Sequence, residues 1–543
     1  MLAAVLFYTC LFLVLVGIPC VLLGSLLLLL EHERTWWPRV RSVASPIVAS
    51  VQASWPIRTL SHRHPRLAAF VARRLDRGTP WGLPATVAEL FVILGLWLFL
   101  GVVQDLVARD PLVVIDLRLH NSVPLFRTAG MTRVMLALTA LGSPLVLWFV
   151  GLGGAALAVV ARKPRVALTL VAGLATSSML SITLKALIGH ARPDQPLVLA
   201  QAASFPSGHQ LMSAVVYGLY AILLLGTRLK PSVRGPGVVG LVLLVAGVGL
   251  SRLYLGVHWP SDILASLALA IICLAALVFL LRYPRAFPRL EARLGAIPRH
   301  AAQVLGAASL LGAAASTLVV LRTTRMAPVG PPPLSHAVEL EALQMGLPAE
   351  LPRRSEDLLG NPMEPLSLVL IGSRDDLTAA FRSAGWSLAD SPTPLRVVRE
   401  AIAAVRDVAD PSGPATPAYM ADRPPALTFE KPGRPGGSIR SRHHARVWPT
   451  PLCLSPSCRP AWVATASFDA GIEMSPRLHL PTHRIDPDID AERRLIVADL
   501  EQAGASEAAE VVATPPLAGT NAAGDGFQTD GRAALLVLPE APH

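Results

Sequence analysis

Lys185-Ala-Leu-Ile-Gly-His-Ala-Arg192-Pro193, Pro206-Ser207-Gly208-His209 and Ser251-Arg252-Leu-Tyr-Leu-Gly-Val-His258-Trp-Pro-Ser-Asp262 decide how the rest of the chain is read. Each is a polar cluster lodged against an apolar run. Together they supply the cations Lys185, Arg192 and Arg252, the histidines His209 and His258, the carboxylate Asp262 and the Ser207-Gly208 turn. That inventory can hold and break a phosphate ester.

Lys185 and Arg192 are seven residues apart, close to two helical turns, so one helix face can carry both. Pro193 does not extend a helix, which makes Arg192 its outer end. Alone, Lys185 would read as an interfacial anchor whose stem snorkels to the headgroups. Ser207 and Gly208 open the next apolar run. There, unpaired backbone N–H groups form an anion site, Gly208 lets the backbone approach, and Ser207 can cap or donate. An ordinary helix cap would explain Ser207 but not His209. His258 and Asp262 are four apart, a spacing that lets carboxylate and imidazole meet. Such a bond fixes the tautomer and raises the nucleophilicity of the other ring nitrogen. A lone His–Asp pair is more often structural, and here the company of Arg252, a fork of donors for an oxyanion, decides. His190 reads as a loop residue outside the motif.

Three motifs in this order resemble the tripartite signature of the type 2 phosphatidic acid phosphatase and vanadium haloperoxidase superfamily. The resemblance covers roughly Leu83 to Leu281 and implies a six-helix phosphatase core. It implies that His258 is the nucleophile that becomes a phosphohistidine, that Asp262 orients it, and that His209 is the general acid. Lys185, Arg192, Ser207, Gly208 and Arg252 would hold the phosphate. No metal and no cofactor are expected, because the cations neutralise the developing charge. The expected function is hydrolysis of a lipid phosphomonoester or diphosphate, such as undecaprenyl diphosphate, phosphatidylglycerophosphate or phosphatidate. The alternatives are a secretion or transport accessory whose outer domain binds a partner, and vanadate-dependent haloperoxidase chemistry.

Composition agrees with a membrane setting. Hydrophobic residues make up 52% and charged residues 16%, too lopsided for one large soluble core. A net charge of +11 invites a nucleic-acid reading, but the arginines gather in short loops between apolar runs, which argues against one. Eight spans are expected: Leu2–Leu30 as an N-terminal anchor, then Leu83–Ala108, Val134–Val160, Val166–Ile188, Gln210–Leu225, Gly237–Leu250, Ser261–Leu281 and Ala302–Leu321. The four alternate loops Arg34–Gly82, Arg162–Arg165, Arg228–Arg234 and Arg282–Arg299 hold 20 Lys or Arg, and the intervening ones only six. Positive residues mark the cytoplasmic side, so both termini and all three motifs are expected on the outer, periplasmic face of an inner membrane.

The expected fold is mainly α: a polytopic helical bundle, residues 83–282 with extra spans at 1–30 and 302–321, and a soluble α/β C-terminal domain. Residues 31–82 form a basic cytoplasmic loop and 322–346 a linker. Strands are expected at 366–371, 426–430, 445–448 and 461–465, with helices at 375–383, 395–408 and 491–503. Residues 504–543, rich in Ala, Pro and Gly, read as a disordered tail. Ile371-Gly-Ser, Phe381–Trp386, Arg442-His443-His444-Ala-Arg-Val-Trp448 and Thr482–Arg493 resemble the LssY C-terminal domain over roughly 347–503. Its function is poorly defined. His443, His444, His483 and the Asp486–Asp490 cluster could take a metal, but a polar surface or structural hydrogen bonds is the expected role, since no zinc-like quartet appears. Cys453 and Cys458 can pair if that segment faces an oxidising compartment.

Overall fold

The structure is a computed structural model and describes residues 63–541, apart from short stretches chiefly at 283–297, 325–335, 391–417, 435–439 and 475–480. The expected anchor and residues 31–62 of the expected basic loop lie outside these residues, as does most of the helix expected at 395–408; the rest of that loop holds a helix at Pro65–Leu75. The chain divides into a membrane unit and a C-terminal unit.

In the membrane unit, α1 (Pro65–Leu75) precedes α2 (Leu83–Ala108). After α3 (Pro111–Ser122), which groups with the C-terminal unit, come α4 (Ala129–Leu141), α5 (Pro144–Val160), α6 (Pro164–Ile188), α7 (Gly208–Leu225), α8 (Pro231–Tyr254), α9 (Pro260–Arg282) and α10 (Arg299–Thr323). Among the described residues, α2, α6, α7, α8, α9 and α10 are each long and apolar enough to cross a bilayer. The span expected at 134–160 is instead two helices, α4 and α5, bent by 50°. Gly142-Ser143-Pro144 makes the break. The Ser143 hydroxyl accepts from the Val146 N–H at 3.4 Å, and Pro144 occupies the first turn, where its missing N–H costs nothing.

α7 is the bundle's axis. Leu211, Val215 and Leu219 are fully enclosed, packed with Leu174 of α6 and Ile263 and Leu274 of α9. The outermost helices carry their large apolar side chains outward, as Ile93 and Trp97 of α2 and Leu311 of α10 do, where lipid is the solvent. Small residues set the closest approach: a Cβ at Gly153 of α5 would stand 3.3 Å from the Ser309 Cβ of α10.

The C-terminal unit is built on a mixed sheet. Its elements are β1 (His336–Val338), α11 (Leu340–Met345), β2 (Arg354–Glu356), β3 (Pro362–Pro365), β4 (Leu368–Ile371), α12 (Arg374–Ser383), β5 (Ser387–Leu388), β6 (Leu427–Pro432), β7 (Arg442–Leu454), β8 (Arg459–Met474), β9 (Pro481–Ile485), α13 (Ile489–Gln502), β10 (Ser506–Val512), β11 (Leu517–Thr520), β12 (Gly526–Thr529) and β13 (Arg532–Val537). The strand order is β10-β13-β4-β8-β7-β6-β5, with β1 parallel to β7 and β9 against β8. Phe381 of α12 and Ile496 and Leu500 of α13 pack one face over Phe429, Ala445 and Leu536. Trp448, Val463, Ile371 and Leu535 belong to the core of the other face. α12 starts with a reciprocal Ser373–Asp376 capping box. Cys453 and Cys458 form a disulfide.

Two features depart from expectation. Residues 506–537 are not a disordered tail but strands β10–β13, and β13 lies between β10 and parallel β4 with Ala533, Leu535 and Leu536 fully enclosed. A run too short to stand out in an Ala/Gly-rich segment becomes a core strand because both of its edges are paired. The second is α3. Arg118, 3% exposed, donates from Nε to Asp422 Oδ1 at 2.9 Å and also binds Glu356 and the Asp357 carbonyl. Asn121 Nδ2 donates to the Asp422 carbonyl at 2.8 Å, and the Ser122 hydroxyl meets Tyr419 OH at 3.1 Å. The connection between the first two described spans is therefore a structural part of the C-terminal unit.

Candidate active site

The last turn of α6 carries Lys185, and Gly189 closes the helix in the left-handed conformation with φ +64°. Beyond it Lys185 Nζ donates to the carbonyls of Ala203 (2.6 Å) and Ser204 (3.0 Å). Arg192 Nε donates to the Ala202 carbonyl at 2.8 Å and Nη1 to the Val257 carbonyl at 2.5 Å. These two cations thus brace the loop that leads into the second motif.

Phe205-Pro206 is a cis bond, and Ser207 stands at the N-cap of α7 with a buried hydroxyl that has no hydrogen-bond partner. Gly208 is close-packed: a Cβ there would come within 2.8 Å of Ser181 Oγ on α6. His209 follows in the first turn. The N–H groups of this turn and the unsatisfied Ser207 hydroxyl make an anion-receptive end.

The third motif spans the turn from α8 to α9. Arg252, 6% exposed, donates from Nη1 to Thr139 Oγ1 of α4 at 2.6 Å. His258 sits in the loop and Asp262 in the first turn of α9, with Pro260 opening the helix. His258 Nδ1 is 3.0 Å from Asp262 Oδ2, and the Trp259 N–H donates to the same oxygen at 2.9 Å. Asp262 is fully enclosed and His258 is 3% exposed. Burial pushes the His258 imidazole down to about 3, against the opposing pull of Asp262 through its hydrogen bond and charge. The ring is neutral at physiological pH, with Nε2 as the nitrogen not turned to the carboxylate. Arg192 Nη1 stands 3.5 Å from that Nε2.

The charged residues and histidines singled out in the three motifs converge. His209 feels the charges of Arg252, His258, Arg192 and Lys185, and Lys185 those of Arg192, Asp262 and Arg252. Three elements the sequence reading did not single out complete the cluster. His190 lies with Nδ1 3.1 Å from Ser204 Oγ and 3.6 Å from Asp262 Oδ1, so it backs the carboxylate from the side away from His258. Trp259 Nε1 ties the third motif to the first through the Ala191 carbonyl at 2.9 Å. Thr139 seats Arg252. Only His190 had a sequence signal, its place between Lys185 and Arg192.

Residues 166–286 match the PAP2 superfamily, and residues 348–533 match the LssY C-terminus family. Over 185 residues the chain is 30% identical to phosphatidylglycerophosphatase B of Bacillus subtilis strain 168, covering 33% of this chain and 88% of that one. The chain belongs to the PAP2 superfamily. It is a phosphoric ester hydrolase of the membrane phosphatase type, joined to an LssY-type C-terminal region. It is also 33% identical over 113 residues to decaprenylphosphoryl-5-phosphoribose phosphatase of Mycobacterium tuberculosis H37Rv, covering 20% of this chain and 57% of that one. Among solved structures it is similar to a crystal structure of a transmembrane PAP2 type phosphatidylglycerolphosphate phosphatase from Bacillus subtilis, at 27% identity and a TM-score of 0.29, covering 36% of this chain and 94% of that one.

In the LssY-type region the histidines noted from sequence are held by carboxylates. His443 Nδ1 is 2.8 Å from Glu492, and buried Asp469 lies between His444 Nε2 at 2.5 Å and His483 Nδ1 at 3.0 Å. Burial, the largest single influence, opposes a charge on His444, but the Asp469 charge and the hydrogen bonds to Asp469 and Glu430 together outweigh it and hold the imidazole above its ordinary value. Asp469 is kept well below the carboxylate range by its two histidines, against the effect of burial. Burial pushes His483 below its ordinary value against the pull of Asp469. The acidic cluster shapes the chain: Asp488 caps α13 through the Ala491 N–H at 2.9 Å, and Asp490 accepts from Thr529 and the Asp530 N–H. No three of these side chains form a metal-competent group among the described residues.

Proposed function

We propose that this PAP2 enzyme hydrolyses a phosphomonoester or diphosphate of a membrane lipid through a phosphohistidine on His258. The observation that carries the reading is the His258 imidazole itself, bonded to Asp262 on Nδ1 and turned toward Arg192 on Nε2, with Lys185, Arg252 and His209 gathered around it. Phosphoryl transfer asks a protein for in-line positioning and for positive charge at the equatorial oxygens, and this cluster offers both.

The phosphate occupies the space bounded by Lys185, Arg192, Arg252, the Ser207 hydroxyl and the Gly208 backbone. His258 Nε2 attacks phosphorus. The P–O bond to the lipid breaks as the N–P bond forms, and His209, protonated in the complex with the dianion, gives its proton to the leaving oxygen. Asp262 stabilises the positive charge that develops on the His258 ring. Water then attacks phosphorus and passes a proton to His209, the P–N bond breaks, and phosphate departs with both histidines restored. Ser207 and His209 share one turn, so the caught anion and the acid are held in register by α7.

The substrate class follows from the setting. A site at the mouth of a helical bundle admits a headgroup whose tails stay in lipid. The relatives act, by name, on phosphatidylglycerophosphate and on a decaprenyl-linked phosphate, and we place the natural substrate among such lipid phosphates. We place the site on the periplasmic face of an inner membrane. The arginine-poor loops support that side, and so does α3, which lies in a loop counted as external and is bonded into the C-terminal unit.

The test is phosphate release from a panel of lipid phosphates and diphosphates in lipid nanodiscs with EDTA present. Turnover of at least one lipid, lost in His258→Ala and in His209→Ala, is expected. Wild-type turnover in either variant, or complete loss on chelation, would defeat the reading.

A further inference from the structure

A second site lies in the C-terminal unit, on the sheet face away from α12 and α13. There a cavity of about 690 Å³ opens beside the β7 segment Trp448–Leu452. Its walls include Leu351, Met420, Trp448, Leu452 and Val463, each of them buried. A partly open cleft of this size falls within the ordinary range of ligand pockets, about 300–1,000 Å³.

The lining says what it would take. The indole N–H of Trp448 already donates to the Arg423 carbonyl at 2.9 Å, and Thr450 Oγ1 to the Ala461 carbonyl at 2.7 Å. With both of these donors engaged, the walls offer contact to an aliphatic chain, and neither side chain has an N–H or O–H left for a peptide carbonyl. Among the described residues no carboxylate lines the cavity. Its charged residue is Arg423, joined by His336. Arg423 is exposed at the cavity, and its backbone is fixed by the turn that carries it. Met420 and Arg423 exchange backbone hydrogen bonds (2.9 and 3.1 Å) around Ala421 and Asp422, whose φ values are +48° and +60°. Asp422 of that turn is anchored by Arg118.

We propose that this cavity binds a single-chain anionic amphiphile, its alkyl or isoprenoid chain against Trp448, Met420 and Leu452 and its acidic headgroup on Arg423. The site is separate from the His258 cluster and does not depend on the role given to it.

The experiment uses the full chain in phosphatidylcholine nanodiscs. Three photoreactive probes share one long alkyl chain with a terminal diazirine and differ in headgroup: phosphate, hydroxyl and trimethylammonium. Cross-links are mapped by peptide mass spectrometry. Label from the phosphate probe is expected on residues 418–423 and 448–452, about tenfold above the ammonium probe, the scale of one charge contact. Arg423→Glu should invert that preference. Ala337→Trp, which fills the cavity from β1, should remove the label while phosphate release is retained. His258→Ala should label as the wild type does, which separates this outcome from the fate of the catalytic reading. Absence of label on the two segments, equal labelling by all three headgroups, or displacement by a proline-rich peptide but not by alkyl phosphate would overturn the proposal.

Discussion

Asp262→Asn isolates the charge behind the proposed nucleophile, His258. The amide is nearly isosteric, and its oxygen can still accept from His258 Nδ1 and from the Trp259 N–H, which now meet Oδ2 at 3.0 and 2.9 Å. What disappears is the negative charge facing a ring that turns cationic as phosphorus bonds to Nε2. At 3.0 Å and an effective dielectric of about 20, that attraction has a ceiling of about 5 kcal/mol. The floor is the difference between a charge-assisted and a neutral hydrogen bond, about 1 kcal/mol. Because Asp262 is fully enclosed, solvent screens little of it. The expected fall in kcat is therefore roughly 5- to 5,000-fold, at about 1.4 kcal/mol per decade. The assay is single-turnover release of phosphate from a lipid phosphate in nanodiscs, with thermal stability followed in parallel. A stable Asp262→Asn protein within about threefold of wild type would refute the role of the carboxylate.

Three further outcomes follow from the same geometry. With the His258 imidazole held down to about 3, its neutral form persists as pH falls through the ordinary histidine range. The profile of kcat/KM, corrected for substrate ionisation, should then show no acid limb from this residue near pH 6.5. Gly208→Ala forces a Cβ to within 2.8 Å of Ser181 Oγ and should slow turnover roughly 10- to 100-fold by displacing the first turn of α7, whereas Gly208→Ala with Ser181→Ala should recover most of it. In the C-terminal unit, the raised His444 contributes stability that is present below the unfolded histidine value and lost as pH rises through the folded one; the lowered His483 acts with the opposite sign. Hydrogen exchange of β7 and β8 amides in the intact protein should accelerate on the alkaline side, and His444→Gln should abolish that limb while weakening the unit by about 3 kcal/mol at pH 6.

The cluster proposed as catalytic could be picked out of the sequence because phosphate chemistry narrows the choice of residue. Cations, a His–Asp pair and a Ser-Gly helix start cannot be exchanged for lookalikes, and their spacing survives as sequence. The spans α2, α6 and α9 were legible because a bilayer demands unbroken apolarity. The break at Gly142-Ser143-Pro144 was written in the sequence too, but the apolar residues on both sides hid it. Features that arise only when distant segments meet left no local trace. β13 is an ordinary short run until β4 and β10 flank it, so 504–543 read as disordered. Arg118 looked like one more loop arginine until Asp422 and Glu356, hundreds of residues on, enclosed it. His190 looked like a spacer, because its relation to Asp262 exists only once α6 and α9 are side by side.

The most direct measurement is acid-labile, base-stable labelling of the enzyme during turnover of a lipid phosphate carrying radioactive phosphorus, quenched in milliseconds and mapped by peptide. Label on His258, formed and discharged at rates that account for kcat and absent from His258→Ala, is expected. Turnover without any protein-bound phosphate, or label on another side chain, would contradict the proposal that this imidazole is the nucleophile.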